Sequence, residues 1–224
     1  MNDDFFLDTY DSGVGSTIVF THGWTDNRNA WDGVITNLND HARCIAWSIR
    51  GHGESFAPPP GHYTRDHTLS DLKAITERSE EKVILAGHSL GGYLSLAHSL
   101  LYPEDVEALI LVGAGPGFRK RESIDQWNSS VIESAKKLDL PEGSEATALH
   151  TDAWVIDSLS EIKVPTLVIV GEHDKRFRAS MSVFEKYLNV KTSVVVEDAG
   201  HSVHRKKPLE VANAIKDFLG EISQ

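Results

Sequence analysis

Ser89 sits between two glycines, each two positions away, in Gly87-His88-Ser89-Leu90-Gly91-Gly92. The apolar run Val83-Ile84-Leu85-Ala86 leads straight into it, and a helical pattern from Leu90 through Leu101 follows. A sharp turn from strand to helix holds a serine in a strained conformation, and glycines at those positions let neighbouring segments approach it. A serine hydroxyl is a weak nucleophile, so it needs a base to take its proton and a carboxylate to orient that base. Both are available after later apolar runs. Asp174 closes Val170-Gly171-Glu172-His173-Asp174, and His201 closes Ala199-Gly200-His201.

The chain has 11 histidines and 33 acidic residues, so competitors exist. His88 lies inside the turn and is expected to point away, His173 directly precedes the proposed acid, and Asp198 and Glu172 are alternative acids. Asp174 is preferred for its place in a strand-end loop. His204 lies three residues from His201, but no third ligand of suitable spacing accompanies the pair, so neither a metal nor a cofactor is expected. Attack on a carbonyl also requires donors for the oxyanion. The backbone N–H groups of Leu90, directly after the serine, and of Trp24, in Phe20-Thr21-His22-Gly23-Trp24, are the candidates. His22, Gly23, Trp127 and Trp154 are expected to line the substrate pocket.

The elements that must position these groups are legible as β-branched apolar runs at Thr17–Phe20, Arg43–Trp47, Val83–Ala86, Ala108–Val112, Thr166–Val170 and Thr192–Val196. Alternation of such runs with helical patterns marks an α/β fold, a mostly parallel sheet with helices on both faces. Phe5–Tyr10 is expected to add an edge strand. Helices are expected at Leu69–Arg78, Leu90–Leu101 and Pro208–Leu219, the last with proline in its first turn. Residues 116–164 break the rhythm. Ile124, Trp127, Val131, Ala135 and Leu138 follow a helical period there, and Trp154, Val155 and Leu159 suggest a second short helix. This segment reads as a small helical cap inserted into a core of residues 1–115 and 165–224.

At 224 residues the chain suffices for one core. A formal net charge of -11 argues against nucleic acid and anionic membranes as partners. The basic runs Arg119–Arg121 and His204–Lys207 read as solvated element ends. The single cysteine, Cys44, excludes an internal disulfide and reads as a buried strand residue. The acidic start Met1–Asp4 is unlike a secretory signal, and no apolar run approaches membrane-span length, so a cytoplasmic location is expected. The oligomeric state is left open.

His22-Gly23-Trp24, Gly51-His52-Gly53-Glu54-Ser55, Gly87–Gly92, Gly171–Asp174 and Gly200-His201 occur in the order shared by the α/β-hydrolase superfamily, which the chain resembles over nearly its whole length. The likeness is greatest to its carboxylesterase, lipase-like and C–C-bond hydrolase members. The resemblance implies a triad in the chain order Ser89, Asp174, His201 and acyl transfer to serine. Relatives that cleave epoxides or carbon–halogen bonds carry aspartate where this chain has Ser89, which disfavours those activities. Few residues precede the Thr17 strand, so a first strand carried by relatives is expected to be missing. The leading expectation is hydrolysis of a small uncharged carboxylic ester through an acyl-enzyme. The alternatives are amide, lactone or C–C cleavage or acyl transfer by the same residues, and a non-catalytic ligand-binding protein on this scaffold.

Overall fold

The computed structural model describes residues 6–138 and 140–223. Met1–Asp4 and Phe5, part of the expected edge strand, lie outside the described residues. Seven strands form one sheet: β1 (Thr9–Ser12), β2 (Thr17–Thr21), β3 (Arg43–Trp47), β4 (Val83–His88), β5 (Val106–Val112), β6 (Pro165–Gly171) and β7 (Asn189–Val196). Their order is β1-β3-β2-β4-β5-β6-β7. β1 runs antiparallel to β3, with Thr9 opposite Trp47, and every other pairing is parallel. The mostly parallel sheet read from the sequence is present, and the edge strand is shorter and later than expected.

The helices are α1 (Asp32–Thr36), α2 (Arg65–Thr76), α3 (Leu90–Leu101), α4 (Arg121–Ala135), α5 (Trp154–Ser158), α6 (Arg178–Tyr187), α7 (Val203–Lys206) and α8 (Pro208–Ile222). Each face of the sheet carries its own core. One joins Val19, Leu85, Leu109 and Val168 to α2, α3, α5 and α6; the other joins Ile18, Phe20, Ile84 and Ile110 to α1, α7 and α8. Neighbouring residues of one strand serve opposite cores because side chains alternate across a pleated sheet. Buried on both faces, the inner strands read as continuous apolar runs, which is why the sequence exposed them.

The chain leaves β2 for α1 on one face and leaves β4 for α3 on the other. β2 and β4 are adjacent, so their connections diverge and open a crevice at the carboxyl ends of the strands, where open α/β sheets bind ligands. Trp24 and Ser89 follow these two strand ends.

Several elements depart from expectation. α2 starts at Arg65, four residues early, because Thr64 caps it by accepting the His67 N–H. α1, α6 and α7 are additional to the helices expected from the sequence. Leu138 lies beyond the end of α4 and is exposed. His204 is fully buried against Trp31, with ring centroids 4.5 Å apart, so that basic run is not a solvated element end throughout. Cys44 is buried and its thiol is pushed up to about 12, chiefly by burial, as befits a small hydrophobe.

Candidate active site

Ser89 has φ 51 and ψ −111, outside the regions open to ordinary L-residues. Such a conformation costs about 1–3 kcal/mol and persists only where its surroundings enforce it. Here the enforcement is close packing of glycine backbones. A Cβ on Gly87 would lie 2.2 Å from the Gly91 carbonyl carbon, and a Cβ on Gly91 would lie 2.2 Å from the carbonyl oxygen of Thr21 at the end of β2. The Ser89 N–H donates to Val112 O at 3.0 Å, tying the turn to β5. Gly91→Ala is therefore expected to push α3 off β2, lowering stability by about 1–3 kcal/mol. Thermal unfolding of the variant measures this.

The loops after β6 and β7 are laced together. His173 N–H donates to Ala199 O at 2.8 Å, and Glu172 N–H to Val196 O at 2.9 Å. This brings Asp174, 3% exposed, against His201, whose Nδ1 lies 2.8 Å from Asp174 Oδ2. Burial raises the Asp174 carboxyl, but hydrogen bonds from His201 and from the backbone N–H groups of Phe177 and Arg176, with the His201 charge, outweigh it and hold the group below its usual range. An ionised carboxylate only accepts, so Nδ1 of His201 carries the proton of this bond, and in the neutral ring Nε2 is the free acceptor. Phe177 stacks on the His201 ring, 4.9 Å away and 18° from parallel.

Ser89 and His201 open into one cleft of about 760 Å³, which Gly23, Trp24, Leu90 and Trp127 also line. Leu90 opens α3, so its N–H belongs to a first turn that lacks partners within the helix. After β2 the chain turns sharply, with Asp26 N–H donating to Gly23 O at 3.2 Å and Thr25 at φ 70. A Cβ on Gly23 would approach His88 Nδ1 to 2.7 Å, so only glycine passes so close to the elbow.

Two of the expected pocket residues lie elsewhere. His22 is fully buried: its Nε2 accepts the Ile49 N–H at 2.9 Å and its Nδ1–H donates to Gly23 O at 2.7 Å. It supports the turn after β2 from behind. Trp154 packs against the core beside α3 and under the Arg65 guanidinium, 5.2 Å from its ring centre, and lines no part of the cleft. Val155 and Leu159 are likewise in the core, so the cleft is covered from the 116–164 segment by α4 and the turn at Ser144–Ala148.

The alternative acids Glu172 and Asp198 meet His173 at the exposed surface, with ligand atoms within 4.8 Å of one another and away from the cleft. The His88 Nε2–H donates to the His201 carbonyl at 3.1 Å, leaving Nδ1 buried without a partner. His88 and His204 lie ring against ring behind the site, centroids 4.1 Å apart and tilted by 39°, an arrangement with no sequence signal. The wall residues Phe118, Phe177, His150 and Arg176 were also not read from the sequence, because nothing in local pattern distinguishes a cleft wall from a core.

A sheet of this order, with a strained serine between strand and helix and an acid–histidine pair on later loops, is the architecture of the α/β hydrolases. The alpha/beta hydrolase fold family model matches residues 16–138, more than half of the chain, and the chain belongs to that family. A Bacillus subtilis protein whose name provisionally makes it a 2-succinyl-6-hydroxy-2,4-cyclohexadiene-1-carboxylate synthase is 27% identical over 93% of this chain and 92% of its own length. The 2-hydroxymuconate semialdehyde hydrolase of a Pseudomonas species is 32% identical over 74% of this chain, which spans 59% of that protein. A thermophilic esterase from Thermogutta terrifontis superposes with a TM-score of 0.83 at 25% identity, covering 97% of this chain and 94% of its own. No helix among the described residues is long and apolar enough to cross a membrane.

Proposed function

We propose that this hydrolase acts on a small carboxylic ester through an acyl-enzyme formed on Ser89. His201 Nε2 takes the Ser89 proton as Oγ attacks the carbonyl carbon, and Asp174 holds the ring and balances its charge. The Trp24 and Leu90 N–H groups receive the developing oxyanion. The proton passes from His201 to the departing alkoxide, and a water activated by His201 then releases the acid. Residues 1–115 and 165–224 act as the catalytic core, and within 116–164 it is α4 that roofs the cleft. The observation that carries the reading is the 2.8 Å Asp174–His201 pair, whose histidine lines the same cleft as a serine held at φ 51.

A second reading keeps the same residues and cleaves a carbon–carbon bond. It draws on the name of the Pseudomonas relative, a semialdehyde hydrolase. Hydrolysis of p-nitrophenyl esters of graded acyl length, beside a vinylogous 1,5-diketone acid, separates the two, since an esterase turns over the first set faster. Asp174→Asn is expected to lower kcat by about ten-thousand-fold by favouring the wrong histidine tautomer. A variant that keeps a tenth of the parent rate would remove Asp174 from this role.

A further inference from the structure

Among the described residues two guanidinium groups line the cleft, those of Arg205 and Arg176. Arg205 is neutralised: its Nη1 lies 3.1 Å from both carboxylate oxygens of Asp26. Other arginines near the roof are paired as well, Arg65 with Asp152 at 2.9 Å and Arg119 with Asp157 at 2.7 Å. Arg176 has no carboxylate within ion-pair distance among the described residues; its guanidinium lies over the Trp127 ring, 5.4 Å from the centroid. Arg176 is exposed and lines the cleft, so its guanidinium is open to a ligand bound there. The Arg176 backbone N–H also bonds the Asp174 carboxylate, which fixes its root relative to His201.

The surroundings suit a polar, partly planar ligand rather than a neutral alkyl chain. Ser123, Gln126, Ser130 and Ser134 recur at helical spacing on α4 and face the cleft beside Trp127. His150 completes the wall, 8% exposed, edge-on to Tyr93 at 4.5 Å and to Phe118 at 5.3 Å. Its Nδ1 is buried with no partner. A net charge of -11 gives an anion no general attraction, so selectivity for one must come from a local cation.

We infer that the substrate carries a carboxylate, bound by Arg176 against the Trp127 face, with the scissile carbonyl at Ser89. This rests on the serine-hydrolase reading for its chemistry, and it replaces the uncharged ester expected from the sequence with an acid-bearing one. Arginine suits the task because its planar fork matches a carboxylate and stacks on an aromatic ring.

The test compares p-nitrophenyl hydrogen adipate with p-nitrophenyl hexanoate, and p-nitrophenyl hydrogen terephthalate with p-nitrophenyl 4-methylbenzoate. The parent enzyme should favour the acid in at least one pair. Arg176→Gln should shrink that preference by about ten- to hundredfold, mostly through KM, and Arg176→Lys should restore part of it. No preference for either acid, or a preference that survives in Arg176→Gln, overturns the inference. Binding of the same esters to Ser89→Ala, with and without Arg176→Gln, reads the subsite without turnover. Acid-selective binding that depends on Arg176 in a protein inert to all four esters would uphold the subsite and defeat the esterase reading. Turnover without acid selectivity would do the reverse.

Discussion

Ser89→Ala is expected to fold as the parent does and to lose about ten-thousand-fold or more of its ester hydrolysis. Alanine keeps the Cβ and therefore the strain of φ 51, and it leaves the packing of Gly87 against Gly91 untouched. The unfolding temperature should accordingly move by no more than about 2 °C. What disappears is the hydroxyl proposed to form the acyl bond. The His201 and Asp174 pair remains and has nothing to activate, so little further is lost on removing either in the Ser89→Ala background. Groups that act as a unit behave in this non-additive way. Parent rates measured beside the single and double variants check both points. Retention of substantial turnover in Ser89→Ala would refute the proposed chemistry.

The second large effect concerns acid. Six histidines are buried in the fold: His22, His52, His88, His98, His150 and His204. Burial, the largest cause in each, pushes His22 and His88 down to about 3 and His98 and His150 to about 4, and it lowers His52 and His204 too. Both ring nitrogens of His204 lack partners, as does one nitrogen each of His52, His88 and His150, while His98 Nε2 lies 3.5 Å from Asp105 Oδ2. The native state therefore holds these rings neutral, whereas the unfolded chain protonates them near pH 6.5. The unfolded state binds more protons in this window, so stability is fully present above about pH 6.5 and is lost as pH falls toward 4 and then 3. Each of the four rings pushed to about 3 or 4 contributes about 1.4 kcal/mol per pH unit below 6.5, so by pH 5 these four withdraw on the order of 8 kcal/mol, and His52 and His204 act in the same direction. That matches the whole stability of an ordinary domain. Denaturant unfolding at stepped pH should show stability falling steeply between pH 6.5 and 5, with several protons taken up on unfolding. A flat profile across that window would contradict the burial of these rings as neutral groups.

These two expectations differ in how far local sequence could anticipate them. The proposed serine, acid and histidine were legible as candidates because each stands at the end of an apolar run, and such runs are visible in any strand buried on both faces. The buried histidines were not, since a histidine carries the same letter whether it titrates at the surface or packs behind a site. His204 sits within a basic run and yet is enclosed by Trp31 and His88, a result of α7 folding back over the second core.

The amino-acid sequence by itself determined the parallel sheet, the glycine-framed turn at Ser89 and the order of serine, acid and histidine along the chain. These depend on short-range properties: the apolar period of a strand, the missing Cβ of glycine, and the position of a polar residue just past a strand end. The tertiary structure decided which surfaces face the cleft. It sent Trp154 to the core and His22 behind the turn, and it brought Arg176 over Trp127, residues 49 positions apart in the sequence. Such pairings follow from how helices on one face of the sheet settle against loops at its carboxyl edge, and that packing is a property of the whole chain rather than of any one segment.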